Sequence, residues 1–333
     1  MKQTIIYVGL DVDDNQYHGA AFDKQTGEIV NFKCRPTLKG LLGQLEKLRK
    51  YFPSAVLKVC YEASYLGYTL QRDLNQNGVH CDVVSPSSIP TPRSRTVKTD
   101  RLDAEALARY YANDMLTVVH VPGVEQEQDR DFLRSRQFLS HQQTELRSHI
   151  LALMRRSGLH YKEQTQCKSH WTKHHYNWLE RIAETLSGSL KANLALLLQH
   201  LQDIDKRLAD CRVYIDTLAQ TPHYAKSVSA LTCYKGVKNL FALTMITEIG
   251  NIKRFAHPRQ LASWMGMDIR EYSSGGKPHR FGITKCGNRY LRTAFIEANQ
   301  RSYKTAYLSQ KSKERRANTA PEFIDIADRC LRR

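Results

Sequence analysis

Residues 5–12, IIYVGLDV, are a short apolar run rich in β-branched side chains and read as a buried strand carrying Asp11 near its end. QYHGAAFD (16–23) and EIVNFKCR (28–35) follow, separated by the turn-like KQTG. With the first run they predict an antiparallel meander of three strands. LLGQLEKLRKYF (41–52) has apolar residues at helical spacing. VLKVCYE (56–62) is another strand and ends at Glu62. YLGYTLQRDLNQNG (65–78) reads as a helix closed by Gly78, because glycine takes the left-handed backbone that ends a helix. VHCDVVS (79–85) is a further buried strand, parallel to its neighbours. After a basic loop, DAEALARYYAN (103–113) reads as a helix.

The order β-β-β-α-β-α-β-α is that of an RNase H-like α/β domain. In open α/β sheets, functional groups gather at strand ends and in the adjoining helices. Asp11 and Glu62 stand at two such ends. KTDRLDA (98–104) adds Asp100 and Asp103, three apart and hence on one helix face. Four converging carboxylates repel one another, and hard divalent cations with oxygen ligands relieve that repulsion. Mg2+ or Mn2+ is therefore the expected cofactor. A pair of such ions about 3.5–4 Å apart can serve both oxygens of a phosphoryl transfer. Asp100 and Asp103 have a second reading, as acids that cap a helix and complement its dipole. The basic run PRSRTVK before them offers Arg93, Arg95 and Lys98 to a phosphate backbone.

Beyond residue 125 strand signals are few. From Leu190 to Leu218 apolar residues recur at alternating steps of four and three, a heptad seam. Phe132, Leu139, Leu146 and Leu153 mark an earlier helix at steps of seven. The pair predicts a helical hairpin or coiled coil over 121–222. We assign its seam to self-association, with packing inside one chain as the alternative. SGLHYKEQTQCKSHWTKHHYN (157–177) is polar and basic and reads as a loop. Residues 223–333 form a mainly helical third domain after a first domain over 1–120. Its helices frame DIREYSSGGKPHRFG (268–282), a loop rich in serine, glycine and basic residues.

The chain has 333 residues and a formal net charge of +17. The excess is uneven: residues 1–115 carry 15 Lys/Arg against 13 Asp/Glu, and the remainder 35 against 20. A polyanion is the expected partner, drawn mainly by the later residues. The eight cysteines form no CxxC pair, which argues against a zinc ribbon and suits a reducing, cytoplasmic setting. No segment approaches the roughly 20 apolar residues of a membrane span.

YVGLDV, the strand-ending acid of CYEA, and KTDRLDA resemble the RuvC-like domain of DEDD-type insertion-sequence transposases. RFAHPRQLASWMGM (254–267) and EYSSGGKPHRFGITKCGNRYLR (271–292) resemble the C-terminal transposase domain of the same family, which includes the bridge-RNA-guided recombinases. The resemblance implies a serine nucleophile in the Ser-Gly loop that forms a covalent phosphoserine link to DNA. The serine directly before glycine is Ser274, with Ser273 as the alternative. A serine hydroxyl is weak at its free pKa and needs a base or a metal to activate it. Lys277, His279, Arg280 and Lys285 flank the motif as phosphate contacts. A Gly-x-Gly turn usual in the family is here Gly236-Val237-Lys238, so Lys238 replaces one glycine as a phosphate contact. The resemblance also implies donor and target DNA, a structured non-coding RNA, a homodimer or homotetramer, and a further basic helical segment after the last helix. Two rivals remain: a metal-dependent nuclease of the Holliday-junction resolvase type without a serine, and a nucleic-acid-binding protein without catalysis.

Overall fold

A computed structural model describes residues 4–90, 99–274, 277–302, 307–317 and 319–331, with the backbone alone at 274, 301 and 302. The chain divides into two compact units, Met1–Pro122 and Gly123–Arg333.

The first unit runs β1 (Ile5–Val12), β2 (Tyr17–Asp23), β3 (Ile29–Cys34), α1 (Leu38–Tyr51), β4 (Val56–Glu62), α2 (Thr69–Gln76), β5 (His80–Val84) and α3 (Asp100–Ala112). This is the element order anticipated. The sheet order is β3-β2-β1-β4-β5. Short turns join β1 to β2 and β2 to β3, so those pairs are antiparallel. The helical crossovers α1 and α2 allow the parallel pairs β1–β4 and β4–β5.

The sheet is covered on both faces. Ile6, Val8 and Leu10 of β1 join Leu41 and Leu45 of α1 and Leu74 of α2 in one core. On the opposite face, Ala104, Ala108 and Ala112 of α3 pack on Ala20 and Phe22 of β2. Cys60 and Val84 meet Leu107 and Tyr111 on that same side. Strand alternation sorts the two sets. Alanines let α3 lie close to the sheet, and Gly9 of β1 lets it lie closer still. A Cβ on Gly9 would stand 2.5 Å from the Ala108 amide nitrogen and nearer to the Ala104 carbonyl oxygen.

The second unit begins with α4 (Val124–Arg156), α5 (Tyr161–Thr165), α6 (Lys173–Thr185) and α7 (Gly188–Leu218). It continues through α8 (Ala225–Thr232), α9 (Asn239–Ile249), α10 (Pro258–Trp264), β6 (Ile269–Ser274), β7 (Lys277–Ile283), α11 (Arg289–Ser302), α12 (Gln310–Arg316) and α13 (Pro321–Leu331). Two cores organise it. Leu146, Ile150 and Met154 of α4 pack with Trp178 and Leu179 of α6 and with Leu194, Leu201 and Ile204 of α7. The other core joins Leu133 of α4 and Ile215 of α7 to α8, α9 and α11.

Three sequence expectations change here. The heptad seam of α7 is covered by the chain's own helices: Leu194 and Leu201 are fully buried against α4 and α6. Much of its apolar face is thus used within one chain, as in the alternative reading, while Leu190, Leu197, Leu208, Cys211 and Leu218 are half-buried. Residues 157–177 contain α5 and the start of α6, where a loop was expected. His175 is fully buried in that stretch among Tyr161, Trp171 and Trp178. Its Nδ1 accepts the Trp171 N–H at 3.2 Å, and Thr172 caps α6. The stretch is basic by count, but its few aromatic residues all face inward. Finally, the residues on either side of Gly275-Gly276 form an antiparallel strand pair, β6–β7, in which Tyr272 and Phe281 meet edge to face. Among the described residues no helix is long and apolar enough to cross a membrane.

Candidate functional site

The parallel pairing of β1 and β4 aligns Leu10 with Tyr61. Asp11 and Glu62 are the next residues along each strand, side by side at the same sheet end. Gly9 and Cys60 face α3, so alternation turns Asp11 and Glu62 to that face too. At this end α3 begins. Thr99 occupies its N-cap, and its hydroxyl accepts the Leu102 N–H at 3.4 Å. The capping role expected as an alternative for Asp100 or Asp103 thus falls to Thr99. The two carboxylates lie in the first turn, favoured there by the helix dipole.

Asp11, Glu62, Asp100 and Asp103 line one cleft of about 660 Å3, with Asp13, Ile89 and Leu107. His18 was not singled out from the sequence. The register sets His18 opposite Asp11, and its Nε2 lies 3.6 Å from Asp100 Oδ2. The signal that could have found it was its place across the β1–β2 hairpin from an acid.

Four hard carboxylate donors on one cleft suit a divalent cation such as Mg2+ or Mn2+. Among the described residues, no three metal-ligating side chains are drawn together tightly enough to hold an ion.

The serine motif belongs to the second unit. The hairpin pairs Glu271 with Arg280, Tyr272 with His279, Ser273 with Pro278 and Ser274 with Lys277. Ser273 Oγ donates to Glu271 Oε1 at 2.6 Å, and Arg280 Nε donates to Glu271 Oε2 at 2.9 Å. These bonds, that of Ser273 first, hold the Glu271 carboxyl below its ordinary range. Arg280 therefore has a carboxylate partner inside the hairpin, while Lys277 and His279 are exposed on the same strand. The Ser274 side chain lies outside the described residues, as do Arg93, Arg95 and Lys98. Lys285 is exposed, in the left-handed backbone region at φ 57°. Lys238 is the exposed N-cap residue of α9, and Gly236 just before it takes φ 89°.

A DEDD-type IS110 transposase family matches residues 8–158, which hold all four acids. The transposase IS116/IS110/IS902 family matches residues 228–314, which hold the serine hairpin. The chain belongs to this transposase family. Among its relatives is a putative transposase, y4qE, of Sinorhizobium fredii, 34% identical over 241 residues, or 72% of this chain and 56% of that protein. The transposase for insertion sequence element IS1533 of Leptospira borgpetersenii is 28% identical over 266 residues, covering 76% and 73% of the two chains. A putative transposase, y4rJ, of Sinorhizobium fredii is 28% identical over 322 residues, covering 88% and 79%. The matched part of this chain thus spans little more than half the length of the first of these relatives.

Proposed function

We propose that this chain is the transposase of an insertion sequence, and that it cuts and rejoins donor and target DNA through a covalent phosphoserine link. The observation that carries the proposal is the meeting of Asp11, Glu62, Asp100 and Asp103 on one cleft at the end of a five-stranded sheet. That arrangement supports an RNase H-like, specifically RuvC-like, reading of the first unit.

Those four residues would hold Mg2+ or Mn2+, which when bound polarises a phosphate oxygen and offsets developing charge. Ser274 Oγ attacks the phosphorus of a DNA phosphodiester. A P–O bond to serine forms, the bond to the leaving strand oxygen breaks, and the serine proton passes through water to that oxygen, which departs as a hydroxyl. Ser273 is the alternative nucleophile. Lys277, His279 and Lys285 hold backbone phosphates, joined by Lys238 and the segment of Arg93, Arg95 and Lys98. Within the second unit we separate a helical-pair module over 121–222 from a serine-bearing module over 223–333. A structured non-coding RNA that pairs with both DNAs completes the proposal, with a dimer or tetramer acting on DNA in the cytoplasm.

The test is covalent trapping. Protein, its RNA and labelled DNA are denatured and resolved on a gel, for wild type, Ser274→Ala, Ser273→Ala and Asp11→Asn. A DNA-linked band lost in Ser274→Ala and Asp11→Asn supports the reading. A band lost only in Ser273→Ala moves the nucleophile by one residue. Cleavage without any linked band replaces the serine mechanism with a metal-dependent nuclease.

A further inference from the structure

A second cleft, also about 660 Å3, lies within the second unit between α4, α9 and α11. None of the residues assigned above lines it. Three arginines do, Arg134, Arg136 and Arg289, and Glu297 is the one acid among its described lining residues.

The three arginines are held differently. Arg134 binds both oxygens of the buried Glu248 at 2.8 Å each, and Asn288 Nδ2 donates to the same carboxylate at 2.6 Å. Its charge is matched and its position fixed. Its guanidinium also lies 4.7 Å from the centre of the Tyr290 ring, and that of Arg289 lies 4.8 Å from it. Two cations thus hold one aromatic ring in place at the cleft wall. Arg136 is half-buried and makes no hydrogen bond or ion pair with any described residue; burial lowers its affinity for the proton, and Cys211 and Glu297 act the other way without touching it. A half-buried cation without a partner is costly unless an anion meets it. Two residues along α4, Phe138 also lines the cleft and is 62% exposed.

We propose that this cleft binds an unpaired stretch of nucleic acid, with Phe138 stacking on a base and Arg136 and Arg289 taking the neighbouring phosphates. Phosphates supply the contacting anion that Glu297, which makes no ion pair with Arg136, does not. A splayed base supplies a flat partner for the exposed phenyl ring, and such stacking on aromatic side chains is the usual means of holding single strands. A duplex keeps its bases stacked inside and offers Phe138 no ring. The volume falls in the roughly 300–1,000 Å3 range of sites that enclose small ligands, the scale of a nucleotide or two. An acidic peptide would answer the arginines but not the phenyl ring. The inference goes beyond the transposase reading, since it requires neither the carboxylates nor the serine, and its test involves no strand transfer.

The test uses the full chain and fluorescence anisotropy with three labelled probes: oligothymidylate, a DNA duplex of equal length, and polyglutamate. Phe138→Ala should weaken oligothymidylate binding by about 5- to 150-fold and leave duplex binding unchanged. Phe138→Tyr should restore most of the loss. Arg136→Gln should weaken binding and reduce the salt slope by about 0.7. Lys47→Gln, a charge change in the first unit, should do neither. Unchanged oligothymidylate affinity in Phe138→Ala overturns the proposal. So does an equal loss for all three probes, which would mark a general basic surface, or tighter binding of polyglutamate than of oligothymidylate. Photocrosslinking of oligothymidylate to the wild type gives a reading that needs no variant. Adducts at Phe138 or Tyr290 are expected, and adducts confined to other regions sink the idea.

Discussion

The backbone of α3 at Ala104 lies directly over Gly9 of β1, so close that glycine is the one residue the strand can carry there. This contact sets where α3 begins relative to the sheet end, and so sets Asp100 and Asp103 beside Asp11 and Glu62.

Gly9→Ala should therefore act on the site without touching an acid. The new methyl meets helix backbone, which cannot turn aside as a side chain can. Overpacking of this kind costs about 1–3 kcal/mol. Urea unfolding should show the lower midpoint. The acid cleft should widen as α3 is pushed outward, and any metal-induced stabilisation should shrink with it. A variant with wild-type stability and wild-type metal response would show that α3 is not held by this contact.

Metal addition should raise the melting temperature of the wild type, because an ion that binds the folded cleft stabilises it by mass action. At about 100 times Kd the gain is about 2.7 kcal/mol. Chelation should reverse it. Asp11→Asn combined with Asp103→Asn should abolish the response to Mg2+ and Mn2+. An undiminished response in the double variant would place the metal elsewhere.

Glu248 is 2% exposed at its side chain and bonds Arg134 through both oxygens. Breaking a buried pair by removing one partner costs about 3–5 kcal/mol, and the 31% exposure of Arg134 points to the lower end. Glu248→Ala should show that loss in guanidinium unfolding. It should also loosen Tyr290, and hence the arginine cleft. A loss under about 1 kcal/mol would mean that the pair behaves like a surface ion pair.

His175 carries a pH dependence. Burial, assisted by the nearby His170, holds its pKa down to about 4, against about 6.5 in an unfolded chain. The folded state thus keeps His175 neutral while the unfolded state takes up a proton. The contribution is fully present above about pH 6.5, is lost as pH falls through the window to about 4, and changes no further below it. Melting temperatures measured across that window should fall with pH. His175→Phe, which keeps a ring among Tyr161, Trp171 and Trp178, should flatten the fall. An equal slope in the variant would assign the dependence to other groups.

Much of the first unit was legible from one-dimensional pattern. Its strands announce themselves by apolar runs, and Gly78 marks where a helix ends, whereas the cap of α3 is Thr99 and not the aspartates after it. The acids could be picked out as candidates too, because two stand at strand ends and two at a helix start. His18 was not, since nothing in YHGAAF distinguishes a histidine facing Asp100 from one facing solvent. The heptad seam shows the opposite limit. Its spacing is real, and it specifies a buried helix face but not whose helix covers it. Here α4 and α6 of the same chain do so. The aromatic residues of 157–177 were hidden by the charges around them.

What the sequence determined by itself was local: the periodicity that makes each strand and helix, the caps that bound them, the carboxylates at two strand ends and one helix start, and the family that those motifs mark. What the tertiary structure alone decided was convergence. It brought residues from 11, 62, 100 and 103 to one cleft, and residues near 134, 248 and 290 to another. Periodicity records which face of an element is apolar. Only packing in three dimensions sets which two faces meet, because that depends on volumes and close approaches, such as α3 over Gly9, between residues far apart in the chain.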